Sequence, residues 1–398
     1  MDNARPPFDV FTYHVIPVII VAFFVARRPS FVVRLGVLGS LAAVHLYSLR
    51  FDTGETYRNY STGTALGTLW FSTFHLLLLI DTMAEYRHET QKGSLVELPM
   101  WQRVYSALCI ITNVRGIGWN YQIEHSPPLP RHTRLQFIVS RALRIAWYTL
   151  LTDITQVFIS LNPIFWLPED QAQSLRAQGL ALSVINIVAF MARSYSTLNM
   201  GYDLMALVSV ALGLSEPKYW PVSHGKWRDA YTIRRFWGRT WHQWLRRFVS
   251  NIAKFVARTL GLAKGTWLSS HVQLFVGFVV SGLAHVPGDI MVHPKYTGCS
   301  FWFFPSQAVA ITLEDFVVAR AKQLGIRDAS WTRLVGYAWT FAWFAYTTPW
   351  FIDWAVKSGQ AREKLLPFSI INPSREGVDH WSVCSTTWST WLAVDDMG

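Results

Sequence analysis

From Trp267 to Ala284 the chain carries no Asp, Glu, Lys or Arg. About 20 apolar residues cross a bilayer as a helix, so such a run is a candidate span. Seven more predominantly apolar stretches bring the candidates to residues 10–26, 31–49, 62–83, 142–166, 176–213, 267–285, 299–319 and 331–351. The fifth exceeds one crossing: a straight helix of that length reaches roughly 57 Å. It is either two spans broken at Arg193 or one long tilted helix. Loop charge arbitrates. Arg27, Arg28 and Arg34 place the first loop in the cytosol, and between Lys226 and Lys264 ten Lys or Arg stand against one acid, Asp229. Only a single crossing by the fifth run keeps that basic block cytosolic, as the positive-inside rule requires. The expectation is an all-α, polytopic transmembrane helical bundle of about eight spans with amphipathic interfacial helices and both termini on the luminal side.

Composition agrees. Only 15% of the 398 residues are charged and 51% are hydrophobic, against about 25% charged in soluble domains. Twenty tryptophans suit membrane interfaces. No polar linker divides the chain, so residues 1–398 are expected to form a single integral domain. The net charge of +11 implies no nucleic acid, because the basic residues lie between apolar spans. Cys109, Cys299 and Cys384 are scattered and form no CxxC pair, so no metal is expected. Residues 1–9 lack a basic n-region and a cleavage site, and the first run is expected to be a retained span. Residues 104–119 are too short to cross and are expected to be re-entrant or interfacial. The tail 352–398 matches nothing, and its stretch 381–394 is too short to span.

Two histidines stand out. His285 closes the 267–284 run, and an ionisable ring at membrane depth is costly enough to mark a functional site. It is an interhelical hydrogen-bonder, a metal ligand or a general base; no HxxxH or His/Asp cluster surrounds it. His271, Phe278 and His285 share one stripe, and Pro287 and Gly288 are expected to stop or kink the helix. His242 lies in Phe236-Trp237-Gly238-Arg239-Thr240-Trp241-His242-Gln243. Read as one helix over residues 234–261, Arg235, Arg239, His242 and Arg246 share a face, opposite Trp237, Trp241, Trp244 and Phe248. Such a basic face rests on anionic headgroups or binds a polyanion such as coenzyme A.

The His242 motif together with Ser281-Gly282-Leu283-Ala284-His285 resembles the membrane-bound O-acyltransferase family, wax-synthase-like branch. Arg115-Gly116-Ile117-Gly118-Trp119-Asn120 and Phe303-Phe304-Pro305-Ser306-Gln307 with Glu314-Asp315 add to the resemblance, which covers about residues 115–351. Without the family, Arg115–Asn120 reads as a glycine-broken turn with a snorkelling arginine, and Glu314 and Asp315 as an acidic pair facing Arg320 or Lys322.

The resemblance implies a reaction tunnel in the endoplasmic reticulum membrane, an acyl-CoA cosubstrate and a hydrophobic alcohol acceptor. His285 would be the base, and His242 would orient or polarise the reacting groups, for instance by donating to an oxyanion. Arg235, Arg239 and Arg246, with Trp241 and Gln243, would hold the acyl-CoA. It further implies acetyl-CoA and a terpenoid-type secondary metabolite, with long-chain wax or sterol ester synthesis as the alternative. A proton-coupled transporter is the competing class, though no two related halves are visible. An intramembrane prenyltransferase would need paired acidic motifs, and Asp81 with Glu85 has no second copy.

Overall fold

The computed structural model describes residues 5–372. These form helices α1 (Ile16–Arg27), α2 (Phe31–Ser48), α3 (Thr56–Phe74), α4 (Thr82–Glu85), α5 (Met100–Thr112), α6 (Arg134–Leu161), α7 (Gly179–Ala211), α8 (Ile233–Arg235), α9 (Arg246–Thr259), α10 (Trp267–Val292), α11 (Phe303–Gln323) and α12 (Ser330–Lys357). Short 3₁₀ and π turns link them, and no β-strand occurs among the described residues. Four helical stretches are long and apolar enough to cross a membrane: Phe31–Ser48, Thr56–Leu79, Leu175–Ala211 and Trp267–Val292. The other candidate stretches fall on α1, α6, α11 and α12, which are shorter or less apolar. The stretch 381–394 and Cys384 lie outside the described residues.

The long fifth run is one unbroken helix, α7, of 33 residues. Arg193 does not divide it. The buried guanidinium donates to the carbonyls of Ala361 and Glu363, while the Glu363 carboxylate accepts from the N–H groups of Thr56 and Tyr57 at the start of α3. Asp153 accepts from the N–H groups of Ile370 and Ile371. The first part of the tail is therefore a strap tied to α3, α6 and α7. Helices α6 and α7 run antiparallel, joined by Arg141 and Arg144 on Asp203 and by Thr152 with Ser196 at 2.7 Å.

Residues 104–119 are not one element. Helix α5 buries Ala107, Ile110 and Ile111 against α1 and exposes Trp101 and Tyr105. A turn follows in which Gly116 and Gly118 adopt φ of 66° and 80°, a region that favours glycine. Asp81 and Glu85 are structural: Asp81 pairs with Arg28 and caps α4, and Glu85 accepts from the Asp81 N–H.

Pro287 neither ends nor stops α10, which continues to Val292. Neighbouring helices let membrane helices tolerate proline, and here α3 presses on the proline. A Cβ on Gly63 would lie 2.3 Å from the Pro287 carbonyl oxygen, and one on Gly67 2.5 Å from that of Ala284. Small residues thus set the α3–α10 separation. Because the helix runs on, His285 sits about two turns inside its end rather than at it. Gly63→Ala overpacks this contact, which typically costs about 1–3 kcal/mol. It should lower the thermal midpoint of detergent-purified protein by several degrees. Gly36→Ala on α2, which meets nothing within 4 Å, should leave the midpoint unchanged or raised.

Candidate active site

The segment around His242 is held from outside itself. The Glu314 carboxylate accepts from the N–H groups of Ile233 at 2.7 Å and Arg234 at 3.2 Å, and Asp315 pairs with Arg234. The acidic pair therefore faces the α8 segment, not Arg320 or Lys322. Thr232 caps α8 by accepting from the Arg235 N–H at 3.0 Å.

The single helix expected over residues 234–261 does not form. After α8 comes a π turn, Phe236–Thr240, then an extended Trp241, and α9 begins only at Arg246. The Gly238 carbonyl takes its hydrogen bonds from the side chains of Gln243 and Arg246, the latter at 2.8 Å. Side chains thus supply what a helical N–H would have supplied, and the break is satisfied. The Trp241 ring folds back over Phe236, with centroids 5.7 Å apart. The arginine and tryptophan stripes consequently disappear. Trp241 and Trp244 flank His242, with the Trp244 ring stacked on it at 4.6 Å.

His285 is presented by α10. Its Nδ1 lies 2.7 Å from the Ser281 carbonyl oxygen. A carbonyl only accepts, so Nδ1 carries the proton and Nε2 keeps a lone pair. The ring stacks on Phe304 at 4.3 Å, with Tyr60 and Phe351 at 6.3 and 6.4 Å. Gln307 is fully buried and accepts from the indole N–H groups of Trp237 and Trp343 at 3.4 and 3.2 Å. That accounts for the Phe303–Gln307 motif as a clamp on the aromatic wall.

One cavity of ≈ 2470 Å³ is lined by His285, His242, Trp241, Gln243, Arg235, Arg239 and Arg246. The residues singled out in the sequence are therefore brought together, although not by the helix face expected. The arginines differ. Arg246 and Gln243 hold each other and the Gly238 carbonyl. Arg235 stacks over Tyr231 at 4.3 Å and reaches Asp229 at 3.5 Å. Arg239 has no hydrogen-bond or ion-pair partner among the described residues.

The cavity opens beside these arginines, where exposed Glu124 and His125 also line it. Partial burial, then the charges of Arg239 and Arg246, hold the His125 imidazole below its ordinary value. Another part of the wall is apolar: Val188 of α7 and Leu334 and Phe341 of α12 line the cavity and are exposed.

His271 is not part of the site. It stacks on Trp267 at 4.1 Å, with Nε2 3.7 Å from Asp315. Arg115 does not snorkel; it is buried and donates to the Pro221 and Val222 carbonyls and to the Tyr202 hydroxyl. Sequence reasoning missed His224, whose ring centroid lies 5.7 Å from that of His242. It sits in a polar stretch, Ser223-His224-Gly225-Lys226, that no rule about apolar runs would flag. Among the described residues, no group of three or more His, Cys, Asp or Glu is placed to hold a metal ion.

A sequence model of the membrane bound O-acyl transferase family matches residues 220–306, the segment that carries His224, His242 and His285. A second, for the C-terminal domain of aspirochlorine biosynthesis protein F, matches residues 133–211, which hold α6 and α7. Acetyltransferase ple2 of Rhodocybe pseudopiperita is 32% identical over 78% of this chain and 81% of its own length. Acetyltransferase eriL of Hericium erinaceus is 34% identical over 82% of this chain and 86% of its own. Acetyltransferase TRI7 of Fusarium sporotrichioides is 29% identical over 64% of each. The chain belongs to the membrane-bound O-acyltransferase family. It is thus an acyltransferase and not a transporter or prenyltransferase, and the α8–α9 break and the His285 turn of α10 both lie in the segment matched to that family.

The buried anchor Glu314 gives a test of how this O-acyltransferase builds the break. Glu314→Ala strands two N–H groups, which typically costs about 1–3 kcal/mol each, and should lower the thermal midpoint by several degrees. Asp315→Ala loses only a half-exposed pair worth less than about 1 kcal/mol and should shift it little.

Proposed function

We propose that the protein transfers acetyl from acetyl-CoA to a hydroxyl of a hydrophobic, terpenoid-type secondary metabolite, in the endoplasmic reticulum membrane. The observation that carries this is the fixed Nδ1–H tautomer of His285, whose ring shares a cavity with His242 and three arginines. The printed activity of the relatives, acetyltransferase, supports the acyl group. The chain crosses the bilayer about eight times as one integral domain, with both termini luminal, and the cavity is its reaction tunnel.

Acetyl-CoA enters at the positive mouth, where Arg239, Arg235 and Arg246 meet its phosphates through charge-assisted hydrogen bonds and Trp241 and Gln243 flank its path. The acceptor enters from the membrane between α7 and α12, beside Val188, Leu334 and Phe341. His285 Nε2 takes the hydroxyl proton as the oxygen bonds to the thioester carbonyl carbon. The tetrahedral intermediate collapses, the C–S bond breaks, and the imidazolium returns the proton to the departing thiolate. Ester and free coenzyme A result, with no covalent enzyme intermediate. His242 orients the reacting groups. Long-chain ester synthesis is the second reading: a cavity of ≈ 2470 Å³ that holds the acceptor and the coenzyme A arm has room for a longer acyl chain as well.

Membranes containing the chain, given labelled acetyl-CoA or palmitoyl-CoA and a panel of terpenoid alcohols, should yield an acetyl ester identified by mass. A palmitoyl ester alone would replace the first reading with the second, and no ester from either would overturn both. His285→Ala should lose about 10²–10⁴-fold in kcat, with His242→Ala also severe and both proteins still folded. Turnover by His285→Ala near the wild-type rate would remove it as the base. Arg239→Met should raise the KM for acetyl-CoA by roughly tenfold with kcat little changed, as expected for a phosphate contact made equally in ground and transition states.

A further inference from the structure

His224 has no part in the steps above, yet it is buried (4% exposed) directly behind His242. The two ring planes are nearly perpendicular, at 87°. The hydrogen bonds behind His224 have a fixed direction. Asn199 Nδ2 donates to the Tyr195 carbonyl at 2.8 Å, which leaves Asn199 Oδ1 to accept. Ser223 Oγ gives its single proton to that oxygen at 2.8 Å. The same Oγ therefore accepts from His224 Nδ1, also 2.8 Å away. His224 is thus the Nδ1–H tautomer with its lone pair on Nε2. That Nε2 is buried without a hydrogen-bond partner among the described residues, and so is Nδ1 of His242. Two unsatisfied buried nitrogens on neighbouring rings require an explanation. A lone pair on one and a proton on the other would satisfy both.

We propose that His224 is a positioning residue for His242, its Nε2 accepting the proton of His242 Nδ1 directly or through one bridging water. The relay Asn199–Ser223–His224 then fixes His242 as the Nδ1–H tautomer. His242 Nε2 becomes an acceptor toward the cavity, so His242 orients its substrate by accepting a hydrogen bond and not, while neutral, by donating to an oxyanion. The arrangement follows the logic of an oriented catalytic base, in which a third group sets which nitrogen carries the proton. The inference rests on the acetyl-transfer reading only for its kinetic consequence.

The experiment compares full-length wild type, His224→Phe, His224→Gln and Ser223→Ala in the acetylation assay, with the thermal midpoint of each protein. His224→Phe keeps a ring but no acceptor, and should lose roughly 10–100-fold in kcat, the usual range for an orienting partner. Its KM for acetyl-CoA should stay within about twofold. His224→Gln places an amide oxygen within reach and should recover most of that loss. Ser223→Ala frees the His224 tautomer with little change in packing and should lose a few-fold. Adding His224→Phe to His242→Ala should cost nothing further, because the two act through one ring. Ring ¹⁵N shifts of histidine-labelled protein, assigned by difference with His242→Ala, read the tautomer without turnover. A protonated His242 Nδ1 is expected in the wild type and its loss in His224→Phe. Wild-type kcat in His224→Phe, a His224→Gln variant as slow as the Phe variant at native stability, multiplying losses in the double variant, or an unprotonated His242 Nδ1 in the wild type would each overturn the proposal. A wild type that forms no ester while showing the expected ¹⁵N pattern would sink the acetyl-transfer reading and leave the relay standing.

Discussion

Hydrocarbon offers no hydrogen bonds, so a polar group carried into it must bring its partner along. That constraint organises the structure. Arg141 and Arg144 close on Asp203 between α6 and α7, Arg193 is spent on the carbonyls of the strap, and Arg115 on those of Pro221 and Val222. Each of these side chains ties together segments far apart in the chain, so satisfying it also fixes where helices stand relative to one another. The break between α8 and α9 obeys the same rule. The Gly238 carbonyl is covered by Gln243 and Arg246 and that of Thr240 by the Gly225 N–H, where Trp241 and His242 leave the helical path.

What the sequence made legible follows from which interactions are local. Apolar runs and loop charge located the long helices and the unbroken course of α7, because hydropathy and helix rise are properties of a single segment. The histidine at the end of an uncharged run was legible for the same reason. The helix expected over residues 234–261 does not form, because an amphipathic pattern presumes an intact backbone ladder, whereas here side chains five and eight positions on bind the Gly238 carbonyl instead. Pro287 does not stop α10, and α3 packs against that turn through Gly63 and Gly67, more than two hundred positions away. Sequence proximity suggests partners for Glu314 on its own helix, but its partners lie 81 and 80 positions upstream. His224 gave no local signal at all.

The cavity wall has two unlike regions. One carries the guanidinium groups of Arg235, Arg239 and Arg246 beside His125; the other is built from exposed aliphatic and aromatic side chains of α7 and α12. Between them, small residues hold α3 against α10, and the His285 ring is wedged on Phe304. One chamber thus offers both a cationic and an apolar surface.

The 33 residues of α7 carry a further implication. At about 1.5 Å per residue they extend well beyond a hydrocarbon slab of about 30 Å. The surplus must be absorbed by tilt, by turns standing clear of the lipid, or by stretching of the surrounding acyl chains. The clasp from Arg193 to the strap limits how freely the helix can lean. The protein should therefore carry a preference for bilayer thickness, set by one helix and independent of its chemistry.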